Sequence, residues 1–234
     1  MTIMLTSRQK QLLCLIINDF VNTAEPVGSS SLVNKYKLKM SPATIRSEMA
    51  ELEKRGYLVK PHTSAGRVPS EKAYEYFVEK NLEYHKSVKL EQVIEELLKK
   101  GVYEQAIKNT AKLLSQLSGQ AVIVGFKFNH AYYTGLSNLF RHPEFQEYGQ
   151  VVNLTAMIDR MDDMLAQLFD EVKDEVHIFV GHKNPFGSQT SLVISRFRYE
   201  DREPGVMALL GPIRMDYNKS YSLIKQAKEV IGKK

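Results

Sequence analysis

Basic and hydroxyl side chains are concentrated in one stretch of the 234-residue chain, from Lys35 to Arg67. This stretch holds eight basic and three acidic residues, so its excess of positive charge equals the net charge of +5 of the whole chain. Arginine and short polar side chains can hydrogen-bond to the edges of bases, and lysine and arginine neutralise phosphates. The chemistry that these residues favour is therefore the binding of nucleic acid.

Catalysis and metal binding have far less support in the sequence. The six histidines are scattered, and Cys14 is the only cysteine, so no disulfide can form within the chain. No metal-ligand spacing, nucleophile elbow or pair of carboxylates is evident. The stretch Gly181 to Ser188 lacks the glycine spacing and the lysine of a phosphate-binding loop. We therefore expect a protein that is not an enzyme and that has no catalytic residue, cofactor or metal site.

Three predicted helices position the residues of the basic stretch. Apolar residues recur at helical spacing from Ser7 to Val21. A short second helix, capped by Ser29 or Ser30, should end near Tyr36. The third helix should run from Pro42 to Arg55, because a serine that can act as N-cap precedes it and a glycine follows it.

The third helix should bury Ile45, Met49 and Leu52 and expose a face of small and polar residues. Such a face suits entry into the major groove of DNA, since bulky apolar side chains would block the approach. The N–H groups at its start, next to Ser41, also suit a phosphate. An ordinary surface helix is the alternative interpretation.

A short strand and a donor-rich loop follow this helix. The strand is predicted from Tyr57 to Lys60, and the loop from Pro61 to Pro69 is rich in turn-forming residues. Three helices, a strand and such a loop are typical of a winged helix, whose wing would contact the phosphate backbone or place Arg67 in the minor groove. A catalytic or metal-binding role for His62 is disfavoured, because no second ligand lies nearby. The candidate DNA-binding residues are Ser41, Ala43, Thr44, Arg46, Ser47, Lys60, His62, Thr63, Ser64 and Arg67.

The sequence after the basic stretch predicts helices followed by an α/β domain. Helices are expected at Val88–Lys100 and Tyr103–Leu117, either to pair subunits or to pack within one chain. From Gly119 on, strands alternate with helices, which favours a mainly antiparallel sheet in an α+β protein. The predicted strands are Gln120–Phe128, Tyr132–Ser137, Glu175–Val180, Thr190–Arg198 and Val206–Gly211, and the predicted helices are Ala156–Phe169 and Asp216–Ile231. We expect a DNA-binding domain at residues 1–84, linker or dimerisation helices at 85–118, and a dimerisation or regulatory domain at 119–234.

Two features of this last domain allow more than one interpretation. Met157, Met161 and Met164 lie at helical spacing and are expected in the core, although such a stripe can also contact a partner. The segment from His182 to Gly187 is expected to be a connecting loop, although it could line a ligand pocket.

Three blocks of the N-terminal part resemble the HrcA family of bacterial heat-inducible transcription repressors. They are Glu25–Ser29, Ser41–Arg46 and Pro61–Pro69, and the order and spacing of the last two are highly specific. Weaker matches to the second domain of the family lie at Gly135–Leu139, Pro143–Phe145 and Gly211–Tyr217.

The resemblance implies a winged helix followed by a GAF-like domain, in a homodimer that binds an inverted-repeat operator before chaperone genes. It also implies that a GroEL-type chaperonin helps to keep the repressor active. Phe126–Phe128 leads almost directly into Tyr132–Gly135, so the chain resembles a short form without the dimerising segment that the family inserts there. Ser47 and Ser30 stand where the family usually has Asn and commonly has Arg, so the operator sequence is expected to differ.

Composition adds an expected location and leaves alternatives open. No stretch approaches the roughly 20 apolar residues of a membrane span, and the N-terminus lacks a signal-peptide pattern, so we expect a cytoplasmic protein. The leading hypothesis is a dimeric, operator-binding repressor of heat-shock genes. One alternative is a winged-helix regulator of another regulon that responds to a small molecule. The other is an adaptor whose winged helix binds a protein.

Overall fold

The structure is a computed structural model that describes residues 4–62, 65–100, 102–127, 130–200 and 202–233. The chain divides into two compact units, Met1–Leu82 and Glu83–Lys234. Both units combine helices with antiparallel strands, which confirms the predicted α+β class. None of the helices in the described ranges is long and apolar enough to cross a membrane.

The first unit begins with three helices, α1 (Ser7–Thr23), α2 (Ser29–Tyr36) and α3 (Pro42–Lys54). Thr6 and Gln9 form a capping box at the start of α1, where each side chain bonds to the backbone of the other residue. The predicted cap of α2 is wrong, because Gly28 occupies the N-cap position and offers no side-chain hydrogen bond. The N–H groups at the start of α2 therefore have no capping side chain.

A two-stranded hairpin follows α3. Its strands, β1 (Leu58–Val59) and β2 (Val68–Pro69), pair antiparallel, and α4 (Glu71–Asn81) completes the unit. The second strand was not predicted, because two residues are too few to show alternating hydrophobicity. The side chains of Leu13, Ile16, Ile45 and Leu52 are fully buried and form the centre of the core of this unit.

The second unit holds six further helices and a five-stranded sheet in its described part. The helices are α5 (Val88–Lys100), α6 (Tyr103–Ser118), α7 (Leu136–Leu139), α8 (Tyr148–Asp159), α9 (Met161–Glu171) and α10 (Tyr217–Ile231). The strands are β3 (Ala121–Lys127), β4 (His130–Thr134), β5 (His177–Val180), β6 (Thr190–Phe197) and β7 (Gly205–Pro212). Two 3₁₀ turns lie at Pro143–Phe145 and Gly181–Lys183.

The sheet has the strand order β4-β3-β7-β6-β5, and every neighbouring pair is antiparallel. One face, which includes Ile123, Ile194 and Ala208, packs against Leu154 of α8 and Leu165 of α9. Side chains alternate between the faces of a strand, so the buried residues between these point the other way. On that side α6 contacts β3, α10 contacts β6, and α5 packs on α6 and α10.

Two predictions for this unit need correction. The single helix predicted over Ala156–Phe169 is wrong: α8 starts earlier, and it ends where Arg160 adopts a φ of −106° and a ψ of 5°. The apolar spacing continues across the break, and Met157 and Met161 are both buried as expected, so periodicity could not reveal it. The strand predicted over Tyr132–Ser137 ends early, because Gly135 adopts a φ of 71° and turns the chain into α7.

Candidate nucleic-acid interface

The start of α3 presents the exposed polar face that the sequence predicts. Ile45, Met49 and Leu52 are buried on the inner side of the helix. The candidate residues on the outer side are all exposed: Ser41, Ala43, Thr44, Arg46 and Ser47. The structure therefore brings half of the candidate residues together on one surface, which is free of bulky apolar side chains.

The hydroxyl of Ser41 starts the helix and also lies on this surface. Its Oγ accepts a hydrogen bond from the backbone N–H of Thr44 at 3.1 Å and lies 2.9 Å from the Oγ1 of Thr44. Pro42 occupies the first turn, where its missing N–H costs nothing. Ser41 thus fixes the residue at which α3 begins, and with it the positions of Thr44 and Arg46 on the helix.

The acidic residues of α3 are each paired within the first unit. Glu48 contacts Arg8 at 3.4 Å and accepts a hydrogen bond from the side chain of Gln9 at 3.1 Å. Glu51 pairs with Arg55 at 3.1 Å, and Glu53 pairs with Arg67 at 2.9 Å. These pairs neutralise the carboxylates that would otherwise repel a phosphate.

Several cations of the same unit have no ion pair with any described residue. They are Lys37, Lys39, Arg46, Lys54 and Lys60. Arg46 is exposed and Lys60 is half-buried. Of these, Arg46 lies on the exposed face of α3, so that face combines an unpaired cation with neutralised carboxylates, a combination that favours a polyanion.

Arg67 has a different environment from the one expected for a residue of a wing. Its guanidinium group bonds to Glu53 through two nitrogens, at 3.0 and 2.9 Å, and its side chain is 15% exposed. Its backbone pairs with Val27. The side chain therefore holds the end of the loop between β1 and β2 (residues 60–67, described at 60–62 and 65–67; the β1–β2 loop) against α3, and a DNA contact by Arg67 stays a prediction.

A cleft of about 420 Å³ lies next to Arg46 in the first unit. It is lined by the start of α2, by α3 and by the β1–β2 loop: Val27, Gly28, Ser29, Ser30, Ser31, Arg46, Met49, Lys60, Ala65, Gly66 and Arg67. Ser29 is 8% exposed, and its side chain has no hydrogen-bond partner among the described residues. Uncapped N–H groups, the hydroxyl of Ser29 and the two unpaired cations Arg46 and Lys60 in one cleft form a set of donors suited to a phosphate oxygen.

The serines of this cleft were missed as candidate residues. A Gly-Ser-Ser-Ser run at a helix start is a signal for exposed N–H groups, but the sequence was interpreted as supplying its own cap. Of the remaining candidates, His62 is exposed, and Thr63 and Ser64 lie outside the described residues. Within the described ranges, no group of three or more His, Cys, Asp or Glu residues could hold a metal ion.

Comparison with known proteins links the chain to one repressor family. Residues 125–220 match the family model described as HrcA protein C terminal domain. The heat-inducible transcription repressor HrcA of Halalkalibacterium halodurans is 25% identical over 335 positions, which cover 98% of this chain and 97% of that protein. The same repressor of Alkaliphilus metalliredigens is 47% identical over 122 positions, which cover 51% of this chain and 36% of that protein.

These alignments differ in length and in how much of each relative they cover. The alignment of 335 positions is about a hundred longer than the 234-residue chain, so the relative has roughly a hundred residues with no counterpart here. The alignment that is 47% identical spans only 36% of the relative concerned. A crystal structure of a hypothetical protein matches with a TM-score of 0.74 at 16% identity, covering 98% of both chains, and this likeness bears on the fold alone.

Proposed function

We propose that the chain, which is similar to the HrcA heat-inducible transcription repressors, belongs to this family and represses heat-shock genes by binding an inverted-repeat operator as a homodimer. The relatives that it matches are named as repressors and not as enzymes. One observation carries the proposal: α3 exposes a small, polar face, and each acidic residue of the helix is paired with a cation.

The first unit would act as a winged helix-turn-helix domain, proposed for residues 1–84. In this proposal α2 and α3 form the helix-turn-helix, and α3 enters the major groove with Arg46 and Ser47 facing base edges. Arginine can bond to guanine through two donors, so Arg46 would supply sequence readout. The hairpin of β1 and β2 would be the wing. Its place in the chain, directly after α3, supports this assignment.

The cleft beside Arg46 would hold a backbone phosphate. The uncapped N–H groups of α2, the hydroxyl of Ser29 and the ammonium of Lys60 are the donors available there. Such contacts fix the register of a protein on DNA but carry no sequence information. Arg46 lines the same cleft, so anchoring of the phosphate and placement of the reading helix would be coupled.

The second unit would pair two chains. A twofold dimer matches an inverted repeat, because each copy can read one half-site. We propose that a GAF-like domain at residues 119–234 and the helices at 85–118 provide the interface. The proposed short form lacks the inserted dimerising segment, so these elements would form the dimer interface without it. The proposal keeps a GroEL-type chaperonin as the partner that maintains activity, and the cytoplasm, where bacterial DNA lies, as the location.

Equilibrium binding to a DNA duplex tests the proposal. The duplex carries an inverted repeat from upstream of a chaperone operon in the source genome, and a scrambled duplex of equal length is the reference. Arg46→Ala should lower affinity for the repeat about 5- to 150-fold, equivalent to about 1–3 kcal/mol. Lys60→Ala should weaken binding to both duplexes and lower the salt slope by about one.

A matched control separates site effects from a general loss of charge. Lys80 is exposed in the last turn of α4 and does not line the cleft, and Lys80→Ala should change affinity less than about twofold. Equal affinity for the repeat and the scrambled duplex would contradict operator recognition. Binding that is absent or insensitive to salt at low ionic strength would instead favour the adaptor interpretation.

A further inference from the structure

The second unit contains a cavity of about 190 Å³ between α8 and the loop before β6. Its apolar wall consists of four buried side chains: Phe145, Leu154, Met157 and Phe186. Its polar rim consists of Gln150, Asn153, Gly187, Ser188, Gln189 and Thr190. All ten residues belong to one unit, and none of them takes part in the candidate nucleic-acid interface.

The loop that forms one wall is held in place by its own hydrogen bonds. The buried side chain of Asn184 donates to the Oγ1 of Thr190 at 2.7 Å and accepts from the N–H of Phe186 at 3.1 Å. The hydroxyl of Thr190 in turn donates to the carbonyl of Gly187 at 2.9 Å. A wall ordered in this way needs little rearrangement to accept a ligand, which lowers the entropic cost of binding.

The lining determines the chemistry of a suitable ligand. None of the ten lining residues is charged, so an ionised ligand would lose its hydration without gaining an ion pair. Two phenylalanine rings and a methionine favour a ring as the apolar body. A dry cavity of about 150 Å³ can hold benzene, so a cavity of about 190 Å³ matches one ring with a small substituent.

We propose that this cavity is a binding site for a small, uncharged ring compound that carries an amide or hydroxyl group. The ring would contact Phe145 and Phe186, and the polar group would hydrogen-bond to the side-chain amides of Gln150 and Asn153. The site does not depend on DNA binding, so it can be tested separately from the proposed repressor function.

Calorimetric titration of the full chain with benzamide and with benzoate tests the proposal. The two probes share the ring, but benzoate is ionised at neutral pH. Benzamide should bind saturably with one site per chain, and benzoate should bind at least tenfold more weakly. Absence of saturable benzamide binding up to about 10 mM, or equal binding of benzoate, would overturn the proposal.

Variants locate the binding to this cavity. Removal of both rim amides, Gln150→Ala with Asn153→Ala, should lower the affinity for benzamide at least fivefold, and alanine is well tolerated in a helix such as α8. Gln167→Ala removes an exposed amide on α9 that does not line the cavity, and its affinity should stay within twofold of wild type. Unchanged binding by the double variant, or an equal loss in Gln167→Ala, would contradict the assigned site.

Discussion

Val27 and Arg67 exchange two backbone hydrogen bonds: the N–H of Val27 donates to the carbonyl of Arg67 at 2.8 Å, and the N–H of Arg67 donates to the carbonyl of Val27 at 2.9 Å. This pair joins the segment before α2 to the end of the β1–β2 loop. The Val27 side chain is buried, so the contact belongs to the core of the unit. The loop and the start of α2 are therefore fixed relative to each other, as the proposed phosphate cleft requires.

Gly66 permits this pairing, and Gly66→Ala should disrupt it. A Cβ at this position would lie 2.4 Å from the carbonyl oxygen of Val27. Because this oxygen belongs to the backbone, it cannot move aside as the end of a flexible side chain could. We expect the free energy of unfolding of the first unit to fall by about 1–3 kcal/mol, and DNA affinity to fall with it. Urea denaturation of the full chain and binding to the inverted repeat measure the two effects.

Gly149→Ala is the matched control for this change. Gly149 lies in α8, and a Cβ there meets no atom within 4 Å. The substitution should leave DNA binding unchanged and stabilise the second unit by up to about 1 kcal/mol, since alanine favours helices. Equal stability of wild type and Gly66→Ala would show that the loop adapts, and would contradict the fixed geometry.

A double-mutant cycle separates the two roles that Arg67 could have. If its guanidinium group mainly holds the β1–β2 loop through Glu53, then Arg67→Ala and Glu53→Gln should be coupled in stability by about 1 kcal/mol, since the pair is partly exposed. A phosphate contact predicts instead that Arg67→Ala lowers the salt slope of DNA binding even when Glu53→Gln is present. Additive stability effects would exclude the structural role of the pair.

Two substitutions at Ser41 distinguish helix capping from proximity to DNA. Ser41→Ala should lower the free energy of unfolding by about 0.5–2 kcal/mol, because the bond to the N–H of Thr44 is lost. Ser41→Asp should keep the stability, since aspartate is also a good N-cap, but its charge should weaken binding to DNA. If the Ser41→Asp variant binds the inverted repeat as wild type does, the start of α3 does not lie near the phosphates.

The environment of His142 predicts that the free energy of unfolding of the second unit depends on pH. Burial lowers the pKa of His142, and the nearby Arg214 lowers it further. Its Nε2 atom is buried without a hydrogen-bond partner among the described residues. The unfolded chain, in which the pKa of the histidine is about 6.5, therefore binds the proton more tightly than the folded chain does. The free energy of unfolding should fall as the pH decreases from about 7 through 6.5 towards the lower pKa of the folded state.

Urea denaturation across this pH range, for wild type and His142→Gln, checks this prediction. The substitution should remove most of the pH dependence that the histidine causes. If wild type and His142→Gln show the same dependence, another group is responsible for it.

Local signals were enough to predict the helices but not the contacts between distant segments. Ser41 and Pro42 determine the start of α3, and Val88–Lys100 is a helix with the predicted limits, because caps and periodicity act over a few residues. The partner of Arg67 is Glu53, 14 residues away, and such a pair depends on the path of the β1–β2 loop. The cleft likewise needs α2, α3 and the loop to be in place before its donors meet.

For α3, likewise, the burial of side chains could be predicted from the sequence, but the ion pairs could not. Burial of Ile45, Met49 and Leu52 follows from their spacing, so exposure of Arg46 and Ser47 could be predicted. Pairing of Glu48 with Arg8 could not, because α1 and α3 are brought together only by the tertiary fold. The pairing of all three carboxylates of α3, which leaves Arg46 as an unpaired cation on the exposed face, could therefore be seen only in the structure.

Selection of DNA from the source genome tests the central claim most directly. The purified full chain is mixed with sheared genomic DNA at about physiological salt, and the retained fragments are sequenced, with Arg46→Ala treated in parallel. The account predicts enrichment of an inverted repeat upstream of chaperone genes by wild type, and its loss with Arg46→Ala. Absence of any enriched repeat, or the same enrichment with Arg46→Ala, would contradict an operator-binding repressor that reads DNA through α3.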